Sequence, residues 1–156
     1  MIATRRNFLK NSLAASTWCL TIASGLLAPL LARAGWPADK YARTDFNSAM
    51  SAILDTQKAT ASDKIAIKIP EVAENGAIVP ITIYSDLEDT ESIYIVADKN
   101  PVPLIAQFNF APEMAKQVTA RIKLAETCNV IAIVRAGDQF YSARRAVKVT
   151  VGGCGE

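Results

Sequence analysis

Residues Ile65, Ile67 and Ile69 alternate with Lys64, Ala66 and Lys68, and Pro70 stops the run. A period of two is the signature of a strand with one buried face. The same reading predicts further strands over residues 77–84, 92–97, 104–110, 118–124, 129–134 and 143–151. Breaks separate them: Glu74-Asn75-Gly76, Asn100-Pro101-Val102-Pro103, Pro112 and Ala136-Gly137-Asp138. Pro80 falls inside the second predicted strand, which places that strand at a sheet edge or gives it a bulge. Only one segment has helical spacing. Phe46, Ala49, Met50, Ile53 and Leu54 recur over residues 45–56, with Asp45 placed to cap the start. About seven short strands at regular spacing predict an all-β fold, an immunoglobulin-like antiparallel β-sandwich with one short N-terminal helix. The Cys–Trp–Cys hallmark of antibody domains is missing, because Trp36 precedes the first strand.

The N-terminus reads as an address. Thr4-Arg5-Arg6-Asn7-Phe8-Leu9-Lys10 has the form of a twin-arginine export signal. An apolar stretch without acidic residues follows over residues 12–31, and Ala32-Arg33-Ala34 supplies a small-x-small cleavage pattern. The serine and threonine content of the stretch and its cleavage site argue against a membrane anchor. The expected organisation is a signal peptide over residues 1–34, a β-sandwich domain over 35–151 and a short C-terminal arm over 152–156. The expected location is the periplasm, with no membrane attachment after cleavage.

Cleavage changes the charge. Four of the 17 basic residues (Arg5, Arg6, Lys10, Arg33) leave with the signal, and all 15 acidic residues stay, so +2 becomes 13 − 15 = −2. A near-neutral domain of this kind lacks the basic patch of a nucleic-acid binder. The chain has no histidine, which excludes Ser-His-Asp and Cys-His catalysis, His-Cys zinc sites and histidine-ligated haem. The run Asp86-Leu87-Glu88-Asp89-Thr90-Glu91 lacks the glycine and spacing of an EF-hand and reads as a solvated loop. No catalytic residue, metal site or cofactor is expected.

The candidate chemistry lies at the other terminus. The chain ends Val151-Gly152-Gly153-Cys154-Gly155-Glu156. Gly152, Gly153 and Gly155 leave the backbone around the sulfur wide conformational freedom, and chain ends are rarely ordered unless tied down. Cys154 therefore reads as a thiol on a short flexible arm that another protein's pocket could receive. The alternatives are a disordered end with an incidental cysteine, or half of a disulfide. Cys19 leaves with the signal, so the second mature cysteine is Cys128, just before the apolar run at 130–134. In an oxidising compartment two cysteines can pair. A secreted interaction domain with a structural Cys128–Cys154 bridge or an intersubunit disulfide is thus a rival to a carrier arm.

Four strings, three internal and one C-terminal, resemble the SoxY family, the sulfur carriers of the Sox thiosulfate-oxidising system. They are Ala73-Glu74-Asn75-Gly76-Ala77-Ile78-Val79-Pro80, Lys99-Asn100-Pro101-Val102-Pro103-Leu104, Thr119-Ala120-Arg121-Ile122-Lys123-Leu124-Ala125 and Val147-Lys148-Val149-Thr150-Val151-Gly152-Gly153-Cys154-Gly155. The resemblance implies an immunoglobulin-like subunit of a heterodimer with a SoxZ-like partner. It implies that Cys154 carries the sulfur substrate covalently. A SoxXA-like haem protein would load it, a SoxB-like hydrolase would release sulfate, and a SoxCD-like dehydrogenase, where present, would oxidise the remaining sulfur. The carrier itself would not be an enzyme. Two departures from the family pattern stand out: Glu156 replaces the usual terminal glycine, and Cys128 leaves an intramolecular disulfide open.

Overall fold

The computed structural model describes residues 38–151. The expected export signal over residues 1–34 and the expected arm over 152–156 lie outside the described residues. After a single helical turn, α1 (Ala38–Tyr41), comes the expected helix α2 (Phe46–Leu54). Its cap is the expected one: the Asp45 carboxylate accepts the Ser48 N–H at 2.8 Å, which satisfies one of the donors orphaned at a helix start.

Nine strands follow: β1 (Ala59–Ala61), β2 (Ile65–Lys68), β3 (Val72–Ala73), β4 (Val79–Ser85), β5 (Thr90–Ala97), β6 (Leu104–Asn109), β7 (Gln117–Ile122), β8 (Cys128–Ala136) and β9 (Gln139–Val149). They form two sheets. The larger runs β1-β9-β8-β5-β6, with β3 also paired to β9, and the smaller runs β2-β4-β7. All pairs are antiparallel except β1 and β3, which lie parallel to β9. Those two strands have no counterpart in the hydrophobic pattern. At three and two residues they are too short to show a period.

The core has two parts. Between the sheets pack Ile65, Ile67, Ile81, Ile83, Ile93, Ile95, Val130, Val134 and Val147. On the outer face of the larger sheet, α2 lays Ile53 and Leu54 against Tyr94, Val96, Leu104, Ile133 and Phe140. β5 and β8 are therefore covered on both faces, which is why their sequences read as nearly continuous apolar runs.

The reading of Pro80 needs correction. β4 is the central strand of its sheet, not an edge. The proline is tolerated because β2 stops opposite Thr82, leaving Pro80 with a neighbour on one side only, at Arg121 of β7. The predicted turn at 136–138 is a two-residue hairpin loop closed by the Ala136–Gln139 pair, with Gly137 at φ +57°.

Truncating Ile93, which is wholly buried between the sheets, is expected to cost about 2–5 kcal/mol. Lys58→Ala, at an exposed position, should stay within about 0.5 kcal/mol. Denaturant midpoints of the two variants check both values.

Candidate functional site at the foot of the arm

The last described residues of the chain are held from both sides. On one side β3 pairs Val72 with Lys148 and Ala73 with Val149. The Thr150 N–H then donates to the Ala73 carbonyl at 3.0 Å, the Thr150 hydroxyl donates to the Glu74 carbonyl at 2.8 Å, and the Gly76 N–H donates to the Val151 carbonyl at 2.8 Å. On the other side the Thr127 hydroxyl accepts the Val149 N–H at 3.0 Å and donates to the Val149 carbonyl at 3.4 Å. A side chain thus extends the β8–β9 ladder one pair beyond Cys128–Val147. The backbone that continues from β9 is held as far as Val151.

The neighbouring loops are tied to the same foot. The Leu124 N–H donates to the Gly76 carbonyl at 2.8 Å. Asn100 bridges to the next loop twice, donating to the Lys123 carbonyl at 2.8 Å and accepting the Ala125 N–H at 2.9 Å. Asp98 accepts both the backbone and the side-chain amide of Asn129, at 2.9 and 2.8 Å. The four strings singled out in the sequence, far apart along the chain, are joined by these bonds at one end of the sandwich. Around it stand exposed apolar side chains: Val72, Ile78 and Val151 are 52%, 63% and 62% exposed, and Val102 is 38% exposed. Among the described residues only Met114 is comparable elsewhere. Large exposed apolar groups gathered at one end of a small domain mark a contact surface.

Of the residues that the sequence nominated, Cys154, Gly152, Gly153 and Gly155 lie outside the described residues. Cys128 is buried at 6% exposure with a free thiol. Burial, with smaller contributions from the Asp98 and Glu126 carboxylates, pushes its pKa up from 9.0 to about 11. At neutral pH it is a protonated, apolar packing residue and a poor nucleophile, since the thiolate is the reactive form. No group of three or more metal-ligating side chains occurs among the described residues. Sequence reasoning missed Thr127. Its role depends on the register that sets β8 beside the end of β9, a long-range pairing with no local signal. Asn100 was visible as a break residue and as part of the second string, without its partners.

Residues 50–154 match the family described as "Sulfur oxidation protein SoxY". The chain belongs to the SoxY family. The match ends on Cys154 itself. Among solved structures, the sulfur carrier protein SoxY from Chlorobium limicola f thiosulfatophilum is 37% identical, with a TM-score of 0.62, covering 67% of this chain and 96% of its own. A superoxide reductase (neelaredoxin) from Ignicoccus hospitalis is 16% identical, with a TM-score of 0.49, covering 58% of this chain and 94% of its own. No curated protein matches the chain. As in the SoxY relative, the body is a sandwich of two β-sheets, the architecture expected from the strand pattern.

The Cys128 environment gives a prediction with a sign. Its folded pKa, near 11, lies above its ordinary value of 9.0, so the unfolded chain loses the proton first. The contribution to stability is fully present below about pH 9 and is lost as pH rises through about 11. The fall in unfolding free energy between pH 8 and 11 should be shallower in Cys128→Ala than in the parent. In the native protein at pH 8, iodoacetamide should leave Cys128 unmodified and should label it once the chain is unfolded. Peptide mass mapping reads the result.

Proposed function

We propose that the chain is a periplasmic sulfur-substrate carrier, exported by the twin-arginine route, which holds thiosulfate-derived intermediates on Cys154 and presents them to partner enzymes. The observation that carries this reading is the coincidence of two boundaries. Hydrogen bonds hold the chain past the end of β9 as far as Val151, and the Gly152-Gly153-Cys154 sequence begins at the next residue. Three residues at about 3.3 Å each let the sulfur reach roughly 10 Å from the foot. The family match through Cys154 and the carrier role named for the Chlorobium relative support the same reading.

The chemistry divides between the arm and its partners. In loading, the Cys154 thiolate and thiosulfate are joined by a sulfur–sulfur bond with loss of two electrons, which a SoxXA-like haem protein would accept. Hydrolysis by a SoxB-like enzyme would add water across the bond to the terminal sulfonate, release sulfate and leave a persulfide on Cys154. A SoxCD-like dehydrogenase would oxidise that outer sulfur where it is present. A SoxZ-like subunit would complete the carrier as a heterodimer. None of these steps asks for an acid, base or metal from the carrier. The buried, protonated Cys128 thiol is suited to packing beside Val147 and not to exchange with the arm.

Cys154→Ser is expected to fold normally and to lose all sulfur loading. Intact mass under non-reducing conditions should show sulfur adducts on the parent and none on the variant, while Cys128→Ser keeps them. A quantitative Cys128–Cys154 bridge in protein from the native host would sink the carrier reading.

The apolar rim gives a second test. A partner enclosing the arm closes over Ile78 and Val151. Ile78→Asp with Val151→Asp should leave loading by a small thiol reagent intact and lower turnover with partner enzymes about tenfold or more, the loss of one or two buried apolar contacts. Unchanged turnover would show that partners touch the arm alone.

A further inference from the structure

β9 is hydrogen-bonded to β8 along one side, but its other side is covered in two separate pieces. β1 pairs with Phe140, Tyr141 and Ser142, and β3 pairs with Lys148 and Val149. Between them the chain crosses to the other sheet, where β2 bonds to β4. Peptide groups along a strand point alternately to its two sides. The Ser142 carbonyl accepts the Ser62 N–H at 3.0 Å, and the Lys148 N–H donates to the Glu71 carbonyl at 2.8 Å. Even-numbered residues of β9 therefore address this side. The N–H and C=O of Arg144 and of Ala146 point off the sheet without a partner, and Arg144, Arg145 and Ala146 are all exposed. The opening lies beside a groove of about 320 Å³ lined by Ser62, Asp63, Ile65, Ile67 and both arginines. Asp63 forms no ion pair with either arginine. Among the described residues the one ion pair is Arg135–Glu91.

The order of the groups says what fits. Donors and acceptors alternate along the opening, so an oxyanion would meet a carbonyl beside each N–H. A metal ion would meet two guanidinium groups. An extended backbone satisfies donors and acceptors together, as in strand addition at a sheet edge. The five open residues span about 16 Å, room for three or four residues of an added segment. Arg144 and Arg145 project to opposite faces of β9, so an incoming strand meets positive charge on both of its faces. Two copies of this chain pairing edge to edge would set arginine against arginine, which is unfavourable. Carboxylate side chains on the incoming segment would be favoured.

We propose that the open edge of β9 at residues 143–147 is an interaction surface for a short extended segment of another protein bearing carboxylate side chains. Arg144 and Arg145 admit that segment and discourage a second copy of the chain. The surface is separate from the foot of the arm, so a protein seated there leaves the arm free.

The test uses the exported, processed protein, labelled with ¹⁵N. The probe is a head-to-tail cyclised hairpin peptide whose free strand reads Thr-Glu-Val-Glu-Thr, compared with its Thr-Lys-Val-Lys-Thr counterpart. Cyclisation lowers the ordering cost of binding and introduces no thiol that could exchange with Cys154. The glutamate peptide should shift the Arg144 and Ala146 amide signals saturably and slow their hydrogen exchange, with the lysine peptide at least about tenfold weaker. The doubly substituted R144E/R145E protein should reverse the preference. Its spectrum elsewhere should match the parent, as expected for exposed side chains. Equal response to both peptides, no saturable response, or shifts centred elsewhere would overturn the proposal. So would concentration-dependent shifts of the same amides without peptide, which would assign the edge to a second copy.

Discussion

The backbone pairing of β9 is the constraint on which the rest of the molecule depends. At 11 residues it is the longest strand. It forms a full hairpin with β8 and carries both parallel strands of the fold on its other side. Each bond contributes only about 0.5–1.5 kcal/mol net, but their placement is decisive. β3 exists as a strand only because β9 offers it an edge. The loop from Glu74 to Gly76 is positioned by β3, and that loop in turn receives Thr150 and Val151. The hydroxyl of Thr127 continues the ladder where backbone pairing with β8 ends. A one-residue slip of the β8–β9 hairpin would turn Val147 out of the core and release the foot of the arm.

Much of this was legible in the sequence, for reasons that differ between elements. The strands of four or more residues announced themselves through alternation or through runs covered on both faces, and α2 through its spacing and the Asp45 cap. The hairpin at Gly137 was marked by residue type, since the turn needs a positive φ there. β1 and β3 were not legible. Ala59-Thr60-Ala61 and Val72-Ala73 have no pattern of their own and become strands by pairing with a partner dozens of residues away. Pro80 misled for a related reason. Its residue type reports that one side of the strand is unpaired locally, and this is equally true at an edge and beside a neighbour that stops short. At the foot of the arm, the sequence offered the strings but not their meeting. Nothing local says that Asn100 reaches Lys123 and Ala125, or that Thr127 holds Val149.

Cys128 and Cys154 illustrate how position assigns chemistry. Cys128 opens β8 opposite Val147, loses contact with water and is raised in pKa until it behaves as a small apolar side chain. Cys154 follows the last fixed residue by three positions and has only glycines as direct neighbours. The proposed loading of Cys154 would benefit from that separation. A second reactive thiol near the foot would attack a persulfide or thiosulfonate on the arm and discharge it. Burial of Cys128 removes that competitor without removing the atom.

Pinning the chain at Val151 also fixes a concentration. Whatever conformation residues 152–154 adopt, the covalent chain keeps the sulfur within roughly 10 Å of the foot, and the sandwich excludes about half of that sphere. One thiol in the remaining volume corresponds to several tenths molar, an effective concentration set by tether length alone. A partner closing over the rim of Val72, Ile78 and Val151, as proposed, would meet the sulfur at that concentration however dilute the chain is in solution. Each residue released from the foot would enlarge the accessible volume with the cube of the radius. Two further free residues, at about 3.3 Å each, would dilute the thiol roughly fivefold. The hydrogen bonds of Thr127, Thr150 and Gly76 are, in this sense, a kinetic setting as well as a structural one.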